Sequence, residues 1–345
     1  MTLANGLELT GIHHVSSITS DVAANRDFYT RALGLRIVKK TVNQDATDVY
    51  HLFYADGLGS AGSDVTFFGF PSTPINQPGA GEIGEIALRV EGKDSLSFWE
   101  QRFGTLGIEH QAITERAGYS ALPFTDPEGQ RLAIVASDGT DPIPGGTPWE
   151  RATVPVEHGI TGLGIVSITT GRPDATLRVL TEVMGFRVVE DRPHDTVPDN
   201  RTVMLETGKG GLNGTLIVHV RPNAPLARLG HGGVHHVAFR VPTFDAHTAW
   251  NAHLADAGMN VTPVIDRFYF RAMYFREPGG VLFEVSSDGP GFAGDEPLET
   301  LGEHLALPPF LEPQRATIEA QLRPLPTTPD ITTREYGEAL QGTTR

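Results

Sequence analysis

The chain has 345 residues, 39% of them hydrophobic and 20% charged, with no cysteine and a formal net charge of −15. The negative excess argues against nucleic acid and anionic membrane surfaces as partners, and the missing cysteines exclude disulfides and thiolate metal sites. A chain of this length is expected to form about two domains.

No apolar run approaches the roughly 18 residues that a membrane span needs. The start, Met1-Thr2-Leu3-Ala4-Asn5-Gly6, has neither a basic n-region nor an apolar h-region. The expectation is a cytoplasmic protein.

In chain order, a strand is predicted near residues 11–19. A helix follows at about 21–33, with Asp21 as N-cap and Gly34 just past its end. Strands come next near 35–43, 47–56 and 63–70. A second unit has a strand at 83–90, a helix near 94–106 and strands near 109–117, 119–125 and 131–137. A third has a strand at 162–169, a helix at 173–184 and strands at 186–192, 200–207 and 214–221. A fourth has a strand at 233–241, a helix at 244–257 and strands at 261–267, 269–276 and 281–287. Pro- or Gly-rich joints at 71–80, 139–148 and 222–232 separate the units. The stretch 289–345 carries eight prolines, from Pro290 to Pro329. It reads as an extended arm with a helix near 314–322, packed on the body or on a second subunit and disordered after about 328.

The units repeat. Gly81–Val90 aligns with Gly232–Val241 at an offset of 232 − 81 = 151, and Leu132–Gly139 aligns with Leu282–Gly289 at 150. The fold class is therefore α+β, with four tandem βαβββ modules. The division by residue number is 1–150 (modules 9–71 and 81–138), 151–290 (modules 160–222 and 232–288) and an arm, 291–345.

Glu284 stands in the apolar run Val281-Leu282-Phe283-Glu284-Val285. An unpaired carboxylate buried there would cost several kcal/mol or stay protonated. A bound cation removes the conflict; Arg267 or Arg276 as an ion-pair partner is the plainer alternative. Gly11-Ile12-His13-His14-Val15 and Gly233-Val234-His235-His236-Val237 each put two histidines in a strand. Strict alternation lets only one of each pair face inward. Modules two and three lack the complete set, with Glu85 at the His236 position, Ile134 at the Glu284 position and Ile165 at the His14 position. One metal per chain follows. His51 and Tyr50 lie in a strand that could face a pocket, and the plainer reading of both as ordinary strand residues is preferred. His110, His158, His194, His219, His231, His247 and His253 read as surface residues, and Gly208-Lys209-Gly210-Gly211 as a hairpin turn with no phosphate-loop motif.

Four βαβββ units with paired histidines and a late glutamate resemble the vicinal oxygen chelate (glyoxalase/bleomycin resistance/extradiol dioxygenase) superfamily. Within it they resemble the ring-cleaving dioxygenases of hydroquinones. The likeness covers about residues 9–325, including Thr41-Val42-Asn43-Gln44-Asp45, Thr66-Phe67-Phe68-Gly69-Phe70-Pro71 and Leu301–Pro309. It implies two open-barrel-like mixed sheets. It implies one Fe(II), with Mn(II) as a substitute, held by His14, His236 and Glu284, a set that leaves up to three positions open. It also implies that His13 and His235 lie near the pocket, either behind the metal ligands or as acid/base groups, and that Arg267 and Tyr274 are catalytic and substrate-binding residues lining it. Arg267 would hold a phenolate or carboxylate oxygen and Tyr274 would donate to a developing oxyanion. Ser16, two residues beyond His14 on the same strand face, is a candidate substrate contact. The partners implied are a small aromatic diol and dioxygen, with homo-oligomerisation left open. A glyoxalase-like lyase or isomerase is the alternative, as is a non-catalytic drug- or aromatic-binding protein. The lyase usually needs a second carboxylate in module one, and Val65-Thr66-Phe67-Phe68-Gly69 offers none there.

Overall fold

Every module starts with a strand, crosses over a helix and returns through three more strands. The computed structural model describes residue 3 and residues 6–325. Module one comprises β1 (Ile12–Thr19), α1 (Val22–Asp27, widening into a π-turn over Phe28–Ala32), β2 (Arg36–Asn43), β3 (Ala46–Ala55) and β4 (Asp64–Gly69). Module two comprises β5 (Glu82–Glu91), α2 (Asp94–Leu106), β6 (Thr114–Arg116), β7 (Tyr119–Thr125) and β8 (Arg131–Ser137). Module three comprises β9 (Ile160–Thr170), α3 (Pro173–Arg178, widening over Val179–Val183), β10 (Arg187–Pro193), β11 (Arg201–Glu206) and β12 (Thr215–Val220). Module four comprises β13 (Gly233–Val241), α4 (Phe244–Asp256), β14 (Ile265–Asp266), β15 (Arg271–Arg276) and β16 (Leu282–Ser287).

Local chemistry explains the helix limits. The Asp21 carboxylate accepts from the amides of Ala23 and Ala24 at 3.0 and 3.1 Å, closing the start of α1. Behind it Gly34 takes φ +70, and a Cβ there would meet Val154 Cγ2 at 2.7 Å. Along α2, Leu96, Trp99, Phe103 and Leu106 recur at helical spacing and are buried in the core.

The strands form two eight-stranded sheets. The first has the order β14-β15-β16-β13-β1-β4-β3-β2 and the second β10-β11-β12-β9-β5-β8-β7-β6. In the first, β1 runs antiparallel to β13 and parallel to β4; in the second, β5 runs antiparallel to β9 and parallel to β8. Each sheet thus takes one module from each half of the chain, and strands far apart in sequence meet at its middle.

Two hairpin strands are shorter than expected. The stretch 109–117 pairs as a strand only over β6, and 261–267 only over β14. In the first, Pro123 accepts from the Gln111 amide at 2.8 Å but has no N–H to return. In the second, the Thr262 amide donates to the Tyr274 carbonyl at 2.9 Å, but the Tyr274 amide donates to the Thr262 hydroxyl at 3.0 Å rather than to a strand carbonyl.

The arm packs on the body, along the outer edge strand β2. The Ala306 amide donates to the Lys40 carbonyl at 2.9 Å, which covers an otherwise open edge. Lys39 is fully buried, and its ammonium sits between Asp295, at 2.7 Å, and Glu296, both from the arm. Helix α5 (Arg315–Gln321) buries Ile318, and the Tyr50 hydroxyl donates to the Arg323 carbonyl at 3.0 Å. The disorder expected after about 328 lies outside the described residues. Among the described residues no helix is long and apolar enough to cross a membrane.

Candidate metal centre

The central strands of the first sheet do not pair in strict alternation. The register of β1 against β13 slips once between Ile12 and His14, and again between Ser16 and Ser17. Ile12 faces Phe239 and His14 faces Ala238, so His13 is an extra residue on β1. Ser16 faces His236 and Ser17 faces Val234, so His235 is an extra residue on β13. Bulges of this kind re-aim side chains. Both members of each pair therefore gather at one place, which a period of two forbids. The Nδ1 atoms of His13 and His14 are 2.9 Å apart, and those of His235 and His236 are 2.8 Å apart. Burial pushes His13 down to about 3 and His235 down to about 4, so both rings are neutral near pH 7. Each first histidine occupies Nδ1 of the second and leaves its Nε2 free to point elsewhere.

Those two Nε2 atoms converge with one carboxylate. His14 Nε2 and His236 Nε2 are 3.3 Å apart, and Glu284 Oε2 lies 3.4 Å from the first and 2.8 Å from the second. All three residues are buried, and Glu284 is fully so. The other carboxylate oxygen accepts from the Ser286 hydroxyl at 2.5 Å. Oε2 receives no aligned donor. Burial acts to raise the Glu284 carboxyl, but positive charge and donated protons from the imidazoles of His14 and His236 outweigh that and hold it well below the usual range. Burial also pushes the His236 imidazole down. A sealed carboxylate oxygen and two imidazole nitrogens, each with a lone pair to offer, repel one another unless a cation lies among them. Nitrogen and oxygen ligands about 2.1 Å from one ion sit roughly 3 Å apart. The three separations match that spacing, so the residues fit a divalent metal. Two imidazoles and a carboxylate on one face are the donor set of non-haem iron sites.

The triad opens into a cleft of about 320 Å³ lined by residues of modules one and four. Ser16 lines it, with its hydroxyl 2.7 Å from that of Thr66. Tyr274 lines it from β15, its ring 5.6 Å from that of His236; burial, and next the charge of Glu284, raise the phenol, which stays protonated. Arg267 also reaches the cleft, 5.6 Å from the Tyr274 ring centre. It makes a two-pronged ion pair with Asp45 at 2.9 and 3.2 Å, while Gln44 donates to its carbonyl at 2.8 Å. The mouth is thus bridged between module one and module four. His235 lines the cleft; His13 lies behind His14, under the Phe270 ring at 5.4 Å.

Several residues read differently in the structure. Of the two readings open for His51, the structure bears out the pocket-facing one: it lines the cleft. On β3 its neighbour Tyr50 turns to the arm, and alternation then aims His51 at the opposite face. His247, taken as a surface residue, is fully buried and its Nε2 meets the Val285 carbonyl at 2.9 Å. It shares the inner face of α4 with Trp250 and Leu254, a spacing of three and four that the helix pattern contains. His219 is half-buried in a second cleft of about 500 Å³ on the other sheet. Phe68 and Phe270 complete the aromatic walls of the first cleft. No polar signal marked them, only the apolar character of a strand and a turn.

The chain belongs to the Glyoxalase/Bleomycin resistance protein/Dioxygenase superfamily, whose family model matches residues 11–134 and 162–285. Among curated relatives it is 42% identical to the "Putative ring-cleaving dioxygenase MhqA" of Bacillus subtilis, over 92% of this chain and 100% of that one. It is 30% identical to the chlorohydroquinone/hydroquinone 1,2-dioxygenase of Sphingobium indicum, over 88% of this chain and 92% of that one. The crystal structure of a dioxygenase from Bacillus subtilis, itself titled putative, superposes with a TM-score of 0.84 at 34% identity, covering 93% of this chain and 99% of that one. Glyoxalase I from Zea mays superposes at 0.58 with 12% identity, over 85% of this chain and 97% of that one, a likeness of fold alone.

Proposed function

We propose that this chain is an iron(II)-dependent ring-cleaving dioxygenase. It adds both atoms of dioxygen across one ring carbon–carbon bond of a hydroquinone-type or catechol-type diol, and that bond breaks. The observation that carries the reading is the convergence of His14, His236 and Glu284 on the floor of an aromatic cleft. The names of the relatives support it. So does the absence of a second carboxylate among the described cleft residues near the triad, where β4 presents Thr66 and Phe68 instead; a glyoxalase-type lyase usually has one.

Iron(II) held by the triad supplies one-electron chemistry between an electron-rich ring and dioxygen, and Mn(II) accepts the same donors. The protein's own part is orientation, proton supply and exclusion of water. His13 and His235 fix the tautomers of His14 and His236 through Nδ1, so that both Nε2 lone pairs face inward. Phe68, Phe70 and Phe270 offer flat apolar walls to an aromatic ring and shed water from it. Tyr274, kept protonated, donates from Oη to oxygen that gains negative charge. Arg267, tethered by Asp45, adds positive charge at the mouth, where a phenolate or the carboxylate of an opened ring would be drawn.

The test is oxygen uptake by metal-free protein loaded anaerobically with Fe(II) and then mixed with hydroquinone in air-saturated buffer. One dioxygen consumed per ring, with none consumed by the Zn(II)-loaded protein, is expected. Bound iron with no uptake on hydroquinone or catechol would overturn the proposal.

A further inference from the structure

We infer that His51 reads the far hydroxyl of a para diol, and that a hydrogen-bonded chain through Thr66 to Ser16 holds it in place to do so. This rests on the function proposed above and gives that same cleft its substrate selectivity.

The placement follows from the sheet. Strands β1, β4 and β3 are consecutive neighbours. Ser16 lies level with Thr66, and His51 lies level with Phe68, two register pairs further along. The Thr66 hydroxyl bridges them, 2.7 Å from the Ser16 hydroxyl and 2.9 Å from His51 Nε2. The imidazole is clamped between Phe53 and Phe68, with ring centres 4.0 and 4.1 Å away. Rotation of the ring is blocked, and Nε2 is committed to Thr66. Nδ1 is the remaining polar atom. It has no partner among the described residues and is not among the sealed polar atoms, while the residue lines the cleft.

Two inter-strand spacings, roughly 9.6 Å, separate β3 from β1, which carries His14. That is about the reach of one diphenol anchored at the triad with a hydrogen bond at its far end. A para diol spans it. An ortho diol keeps both oxygens near the triad, and phenol has no second hydroxyl to offer. The ring is neutral, since burial holds it well below the usual imidazole range. Whichever way the protons run along Ser16–Thr66–His51, Nδ1 offers the hydrogen-bond sense opposite to that of Nε2, and a hydroxyl can match either. A site built to hydrogen-bond a substrate hydroxyl discriminates against analogues that lack it.

Anaerobic calorimetry of the Fe(II)-loaded protein with hydroquinone, catechol and phenol tests this without relying on turnover. His51→Phe keeps the aromatic stack and removes Nδ1. It should weaken hydroquinone about tenfold, close to the loss of one hydrogen bond, and leave catechol and phenol within about twofold, with iron content unchanged. His51→Asn, whose amide falls near the Nδ1 position, should recover part of the loss. Thr66→Val cuts the chain with little change of shape, and should weaken hydroquinone in the same direction whether or not the Phe variant folds. Equal weakening of all three ligands would make His51 a packing residue; unchanged hydroquinone affinity would remove it from recognition. Either result defeats this inference while the proposed function stands. A wild-type protein that binds no diphenol defeats both.

Discussion

The two sheets are built from one module in one strand order, yet only the first carries the triad. In the second, Ile165 stands where the first has His14 (165 − 14 = 151) and Glu85 stands where it has His236 (236 − 85 = 151). Ile134 replaces Glu284, and the pairing of Leu122 with Ile134 mirrors that of Tyr274 with Glu284. Arg116 answers to Arg267 (267 − 116 = 151), and each is followed by a residue of positive φ at its hairpin turn, Ala117 at 50° and Phe268 at 71°. The roles then diverge. Arg116 turns to Glu85 at 3.1 Å, whereas Arg267 turns to Asp45. The guanidinium in the second sheet answers a carboxylate within its own cleft. In the first, the carboxylate and two imidazoles form a donor set that fits a cation. One scaffold thus either settles a cleft's charge with a side chain or leaves donors that an ion can complete, and only the second choice leaves open positions for chemistry.

The sharpest way to break the contrast is to write the second sheet's residue into the first. Glu284→Ile should abolish metal binding and bring oxygen uptake to background. The metal-free variant should melt at or above the temperature of metal-free wild type, because a buried charge gives way to an apolar strand residue. Metal analysis and thermal melts read both effects, and retained iron would dissolve the distinction between the clefts. Tyr274→Phe probes a smaller difference, since the second sheet has Leu122 at that register. Turnover should fall on the order of a hundredfold with iron content unchanged; loss of iron would make the phenol structural. The mildest expectation concerns the second cleft. His219→Ala should leave turnover within about twofold and move the melting temperature little. A large loss of activity would mean that both clefts take part.

The repeat, the helices and most strand limits were legible because periodicity and caps are local properties. Asp21 and Gly34 bracket α1 as their chemistry dictates, and α2 follows its apolar spacing. The shortened β6 was missed although Pro123 was in view, because a proline matters only once the strand it fails to serve is known. Strict alternation gave no account of how His13 and His235 come to lie beside their neighbours. The answer is a pair of bulges, and a bulge is a property of two strands read together. The strand of His51 could be seen to face a pocket, but not which of Tyr50 and His51 would enter it, since what holds His51 there is Thr66 and two phenyl rings brought alongside by pairing. His247 looked exposed as a lone polar residue; its place between the core and the Val285 carbonyl became visible only with β16 packed under α4.

The joining of β1 to β13 places His14 and His236, 222 positions apart, at one centre. During synthesis the second sheet has its full set of strands once β12 has left the ribosome. Strand β1 must wait, its edge toward β13 unmet, until the fourth module emerges and the arm follows to neutralise Lys39. The sheet that carries the triad therefore closes after the second sheet has all its strands, and His14, His236 and Glu284 can share one metal ion only once β16 has emerged.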